Sequence, residues 1–101
     1  MAEEKRKILR LYSGDGYGEV LMEQIGRILP KPRVIKVPGA PDGIAGMVYF
    51  HGRLIAVKYL DGAQHKEEFG CAVLMIREDG SLWGLLADEL SGGERFDTVY
   101  E

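Results

Sequence analysis

A chain of 101 residues, 46% hydrophobic and 29% charged, has the size of one domain with a modest core. Its net charge of -3 weighs against a nucleic-acid partner, whose phosphates call for a concentrated positive surface. The one cysteine, Cys71, excludes an internal disulfide, no apolar run reaches the roughly 18 residues of a membrane span, and the charged start has no hydrophobic signal region, so a reducing, cytoplasmic setting is expected.

Residues 1–7 are polar and are expected to form a flexible tail. The basic triplet Lys5-Arg6-Lys7 sits beside Glu3 and Glu4 and reads as solvated charge. Residues 8–12 read as a strand. Residues 13–18 read as a turn in which Gly14, Gly16 and Gly18 supply positive φ, and residues 19–22 as the returning strand. Residues 23–29 fit either a short helical turn or a strand, since Gly26 weakens a helix by about 1 kcal/mol, and Pro30 and Pro32 end the segment. Residues 33–37 are a short extended run into Val37-Pro38-Gly39-Ala40-Pro41. There both prolines fix φ and bias the residues before them toward extended backbone. Residues 46–60 follow as a hairpin, two apolar runs around the short loop His51-Gly52-Arg53. A polar loop spans 61–70. A third hairpin pairs residues 71–76 with 81–87 around Arg77-Glu78-Asp79-Gly80. Residues 88–90 begin a last strand or turn that Ser91-Gly92-Gly93 breaks. Phe96, Val99 and Tyr100 then lie in a polar tail, 91–101.

Short strands with turn signals at regular spacing imply an all-β fold, a small barrel or sandwich. The unbroken apolar run Cys71-Ala72-Val73-Leu74-Met75-Ile76 implies a strand buried on both faces. Tyr49 and Phe50 are neighbours on a strand, so one faces inward and the other outward. Trp83 fits a core position or an interface anchor. A weak internal repeat relates residues 8–29 to 72–90, each running strand, glycine turn, strand, apolar end.

Nothing in the chain assembles a catalytic, cofactor or metal site. His51 lies in a hairpin turn, His65 in the charged loop Gln64-His65-Lys66-Glu67-Glu68, and the two have no metal-ligand spacing with Cys71. Gly14, Gly16 and Gly18 do not follow G-x-G-x-x-G, and no long helix succeeds them. The adjacent pairs Glu67-Glu68, Glu78-Asp79 and Asp88-Glu89 diverge on extended backbone and make no acid–base couple. A non-enzymatic binding module is expected, and a small-molecule-binding β-barrel is the alternative.

The run from Pro38-Gly39-Ala40-Pro41 through a spacer to Gly46, a strand, the turn at His51-Gly52 and a second apolar strand resembles the CheW-like domain, the chemotaxis coupling module. The resemblance covers residues 8–90, in a single domain spanning 1–101. It implies an SH3-like small β-barrel with an incomplete second barrel, because the second repeat lacks the hairpin that the family adds to each unit. It also implies an adaptor between chemoreceptor and histidine kinase, with one barrel face on the kinase regulatory domain and a groove between barrels for the receptor tip. The contact residues it implies are Pro38, Gly39, Pro41, Tyr49, His51, Gly52 and Arg53. Two departures stand out: His51 replaces the arginine of the family's turn, and Ala56 and Lys58 replace a proline and an aspartate after it. A diverged short form that self-associates or competes with full-length adaptors is the alternative. A bare edge on the third hairpin predicts a homodimer through Val73, Met75, Trp83 and Leu85.

Overall fold

A computed structural model describes residues 2–63 and 67–99 of the chain. They form eight strands: β1 (Ala2–Ser13), β2 (Gly16–Leu21), β3 (Ile25–Pro30), β4 (Ile44–Phe50), β5 (Arg53–Lys58), β6 (Cys71–Ile76), β7 (Leu82–Ala87) and β8 (Glu89–Val99). The ambiguous segment after β2 resolves into a single 3₁₀ turn, Met22–Gln24, and then β3. The strands build two sheets. One has the order β2-β1-β8 and the other β3-β6-β7-β5-β4. All neighbours are antiparallel except β5 and β7, which meet in parallel at Val57–Gly84 and Lys58–Leu85. The all-β expectation is realised in these two sheets, and the five-stranded one fits the expected SH3-like barrel.

Strand β6 explains why the sequence there has no polar alternation. Its odd residues Cys71, Val73 and Met75 pack in a core with Leu9, Leu11, Leu60, Ala63 and Ala87, between the two sheets. Its even residues Ala72 and Leu74 pack in a second core with Ala45, Val48, Ile55, Val57, Phe69 and Leu86, inside the five-stranded sheet. A strand between two cores must be apolar on both faces.

The ends of the chain differ from the sequence reading. Residues 2–7, expected as a flexible tail, belong to β1, and residues 91–99, expected to break at Ser91-Gly92-Gly93, belong to β8. The two pair antiparallel along their whole length, from Ala2–Val99 to Tyr12–Glu89. Ion pairs on this sheet, Lys5–Glu94 at 2.9 Å between β1 and β8 and Arg95–Glu19 at 2.8 Å between β8 and β2, sit at the surface and add little to stability. The cross-strand hydrogen bonds carry it. Phe96 is exposed on this ribbon, and Tyr100 lies outside the described residues. The glycine-rich turn is also shorter than expected. Gly14 alone takes positive φ (57°), while Gly16 and Gly18 lie within β2.

Asp88 is the one residue between β7 and β8, where the chain crosses from one sheet to the other. Its N–H donates to the Tyr12 carbonyl at 2.8 Å. Its carboxylate accepts from the buried Ser13 hydroxyl at 2.8 Å and from the Gly70 N–H at 2.9 Å. One side chain thus ties the end of β1 and the start of β6 to the crossing point.

Candidate functional site

The β4–β5 hairpin is positioned from both ends. At its start, the Ala40 N–H donates to the Val37 carbonyl at 3.2 Å, closing a turn with Pro38 at the second position and Gly39 (φ 77°) at the third. That is the residue order of a type II turn. A second turn follows at once, the Ile44 N–H donating to the Pro41 carbonyl at 3.1 Å. Residues 33–37 then lie back along β4, with Ile35 and Met47 exchanging hydrogen bonds of 2.8 and 2.9 Å. Gly46 makes this approach possible. Its φ is 152°, and a Cβ there would collide with the Ile35 carbonyl.

At the far end the turn is the two-residue loop His51-Gly52, closed by the Phe50–Arg53 pair. Arg53 therefore begins β5, where the sequence reading placed it in the loop. Both turn residues have positive φ, 48° at His51 and 79° at Gly52, as a type I′ hairpin requires. The His51 ring stacks on Phe50 at 4.0 Å, and the Arg27 guanidinium lies 5.6 Å from the Phe50 ring centre.

The seven contact residues expected from sequence fall into two groups. Pro38, Gly39 and Pro41 lie at the start of β4, and His51, Gly52 and Arg53 at its end, all exposed. A seven-residue strand separates them, a span of about 20 Å at roughly 3.3 Å per residue. Tyr49, the seventh, is the next-to-last residue of β4 and lies beside the second group. It is the outward member of the Tyr49-Phe50 pair, 67% exposed, while Phe50 packs against the inner core.

Around Tyr49 the structure shows an apolar face that the sequence reading missed. Leu54 stands directly opposite Tyr49 across the hairpin, and Ile35 stands opposite Met47. Directly paired residues in an antiparallel ladder share a face. Leu54 is 55% and Ile35 50% exposed, with Val37 also exposed one step along. The run Leu54-Ile55-Ala56-Val57 resembles a doubly buried strand in sequence. Only the pairing shows that Ile55 and Val57 face the core and Leu54 faces solvent. Period-two alternation carried forward from Tyr49 through the two-residue turn was the signal available.

The residues weighed for chemistry remain dispersed. Among the described residues no group of three His, Cys, Asp or Glu side chains is placed to hold a metal, and His65 lies outside those residues. Cys71 is buried, and desolvation, with the Asp88 charge adding, pushes its thiol pKa up and keeps it protonated. Hydrogen bonds from Ser81, side chain and backbone, hold the Asp79 carboxyl below its ordinary value. Asp79 thereby caps the β6–β7 turn.

The self-association surface is corrected by the topology. β6 is paired on both sides, by β3 and β7, and β7 on both sides, by β6 and β5. The third hairpin therefore has no bare edge, and Val73 and Met75 are 0% and 3% exposed. Trp83 and Leu85 are half-buried and line an open groove with β2. Trp83 also has Lys58 at 5.2 Å and Arg77 at 6.0 Å from its ring.

This arrangement is similar to a known fold. A crystal structure of the scaffolding protein TtCheW from Thermoanaerobacter tengcongensis matches with a TM-score of 0.71 at 18% sequence identity, over 87% of this chain and 63% of that one. The chain thus spans under two thirds of that protein's length. No curated protein matches it in sequence. The model of the CheW-like domain matches residues 15–99, most of both sheets, and on that match the chain belongs to the CheW-like domain family.

Proposed function

We propose that this chain is a non-enzymatic adaptor module of chemotaxis-type signalling that docks on the regulatory domain of a histidine kinase through the outer face of β4–β5. The observation that supports this reading is the exposed apolar face of Tyr49, Leu54 and Ile35, held on a hairpin whose two ends are fixed turns. A contiguous apolar face on a rigid element is the usual form of a protein-binding surface, with an aromatic near its centre. Pro38, Gly39 and Pro41 border the face at one end, and His51, Gly52 and Arg53 at the other. Their role is shape and hydrogen bonding at the rim. The family resemblance sets a chemoreceptor tip between two barrels. In this proposal receptor contact is secondary to kinase contact.

The test is a titration of the isotopically labelled chain with the kinase regulatory domain, followed by backbone amide shifts. Responses should concentrate in residues 35–37 and 47–54. Leu54→Asp should weaken binding by about 2 kcal/mol, the scale of a charge placed in a desolvated apolar contact, while leaving the fold intact. Binding with no response in residues 35–54 would assign the contact elsewhere.

A further inference from the structure

Charge is segregated along the chain. Residues 25–60, which contain β3, β4 and β5, carry six Lys and Arg and a single acid, Asp42, a net +5 in a chain of net -3. The remainder therefore carries -8. The ion pairs follow the same division. On and beside the smaller sheet Lys5 meets Glu94, Arg6 meets Glu4 and Glu23, and Arg95 meets Glu19. Among the described residues none of Arg27, Lys31, Arg33, Lys36, Arg53 and Lys58 forms an ion pair with a carboxylate.

Three of these cations border the exposed apolar face of Tyr49, Leu54 and Ile35. Ile35 pairs antiparallel with Met47, so the chain before it runs back toward Tyr49. Lys31, Arg33, Ile35 and Tyr49 line one shallow groove. Val34 packs against the inner core, while Arg33 and Ile35 on either side of it are exposed. The backbone that carries these cations is fixed. Pro30 and Pro32 restrict φ on both sides of Lys31. Lys31 itself has φ 43°, and its N–H donates to the Gly70 carbonyl at 2.8 Å. A non-glycine residue keeps such a conformation only where its surroundings impose it. At the far end of the hairpin Arg53 precedes Leu54 and pairs with Phe50, whose ring centre lies 5.6 Å from the Arg27 guanidinium.

We propose, on the docking reading above, that this face selects a folded protein partner whose own contact surface carries carboxylates around an apolar centre, and that Lys31, Arg33 and Arg53 recognise those carboxylates. The planar fork of arginine takes a carboxylate through two parallel hydrogen bonds, and lysine adds a point charge. Around an apolar contact at Tyr49 and Leu54, such pairs act chiefly on partner choice and on the rate of encounter. A second copy docked face to face across a two-fold axis would set like charges against each other. An extended anionic surface, such as a bilayer leaflet, also meets the -8 of the remainder, which a compact partner leaves in solvent.

The experiment has two arms. In the first, the isotopically labelled full chain is titrated with the capped peptide Glu-Glu-Phe-Leu-Glu-Glu and with its counterpart Gln-Gln-Phe-Leu-Gln-Gln. Amide shifts are expected in residues 31–37 and 49–54. The acidic peptide should bind about tenfold more tightly than the neutral one, and about 500 mM salt should close the gap. Arg33→Glu with Arg53→Glu should abolish the preference. Lys5→Glu with Lys7→Glu alters the net charge equally on the smaller sheet and should keep it. In the second arm, the association rate of the kinase regulatory domain should fall by about tenfold between about 20 and 500 mM salt. Equal affinity for the two peptides, or shifts confined to other residues, would overturn the proposal. So would co-sedimentation of the chain with phosphatidylserine vesicles through Arg33 and Arg53, or self-association of the chain alone at low salt that the same two substitutions abolish. Kinase binding without salt dependence would keep the docking and overturn the charge selection. Selective peptide binding at this face without kinase binding would keep the charge selection and overturn the kinase as its partner.

Discussion

Replacing Asp88 by alanine tests whether one carboxylate holds the two sheets in register at the crossing. The side chain accepts hydrogen bonds from the Ser13 hydroxyl at 2.8 Å and the Gly70 N–H at 2.9 Å. A hydrogen bond to a charged acceptor contributes about 1.5–3 kcal/mol. Asp88 is half-buried, so the lower end applies to each bond, giving about 3 kcal/mol for both. Ser13 is 1% exposed and would keep a buried hydroxyl without its acceptor, which pushes the cost up rather than down. Against a usual total of about 5–15 kcal/mol, such a loss is large for a chain of this size. Urea unfolding followed by Trp83 fluorescence measures it. Asp88→Asn should lie between the two, because its amide oxygen still accepts while its nitrogen faces a donor. Ser13→Ala should cost about 1–2 kcal/mol, and little more once Asp88 is already alanine, since both remove one bond. A loss below about 1 kcal/mol for Asp88→Ala would refute the reasoning and leave packing alone as the joint.

Three further outcomes are expected. His51→Asn should raise the urea midpoint by about 0.5–1 kcal/mol equivalent, because a non-glycine residue at φ 48° is strained and Asn-Gly suits this turn; a drop would mean that the ring stack on Phe50 outweighs the strain. Gly46→Ala should cost more than about 2 kcal/mol or release residues 33–37 from β4, seen as loss of amide protection at Ile35 and Met47. Cys71 should react with a thiol reagent only on unfolding. Its folded pKa is raised, so the unfolded chain ionises first; stability is unaffected below about pH 8.5 and falls as pH rises from there through the folded value. Cys71→Ala should remove that part of the alkaline slope, and an unchanged slope would place the titration elsewhere.

The local rules were written in the sequence. Pro38 and Gly39 dictate a turn wherever they sit, the unbroken apolar run of β6 dictates burial on two faces, and adjacency alone sends Tyr49 and Phe50 to opposite sides. The motif around residues 38–52 carried the family on the same footing. What the sequence could not carry was pairing between segments far apart. Residues 2–7 and 91–99 are polar and read as tails, because a ribbon held by main-chain hydrogen bonds needs no apolar pattern. Leu54 reads as core until its partner across the turn is known to be the outward Tyr49. The third hairpin seemed to have a bare edge because β3 and β5, which cover it, come from earlier in the chain. Asp88 looks like one more surface acid beside Glu89, and its role exists only where Ser13 and Gly70 converge on it. Propensity and turn chemistry act over a few residues, and the sequence by itself determined those. Strand order and the shared faces depend on contacts between residues as far as 97 positions apart, from Ala2 to Val99, and only the tertiary structure decided them.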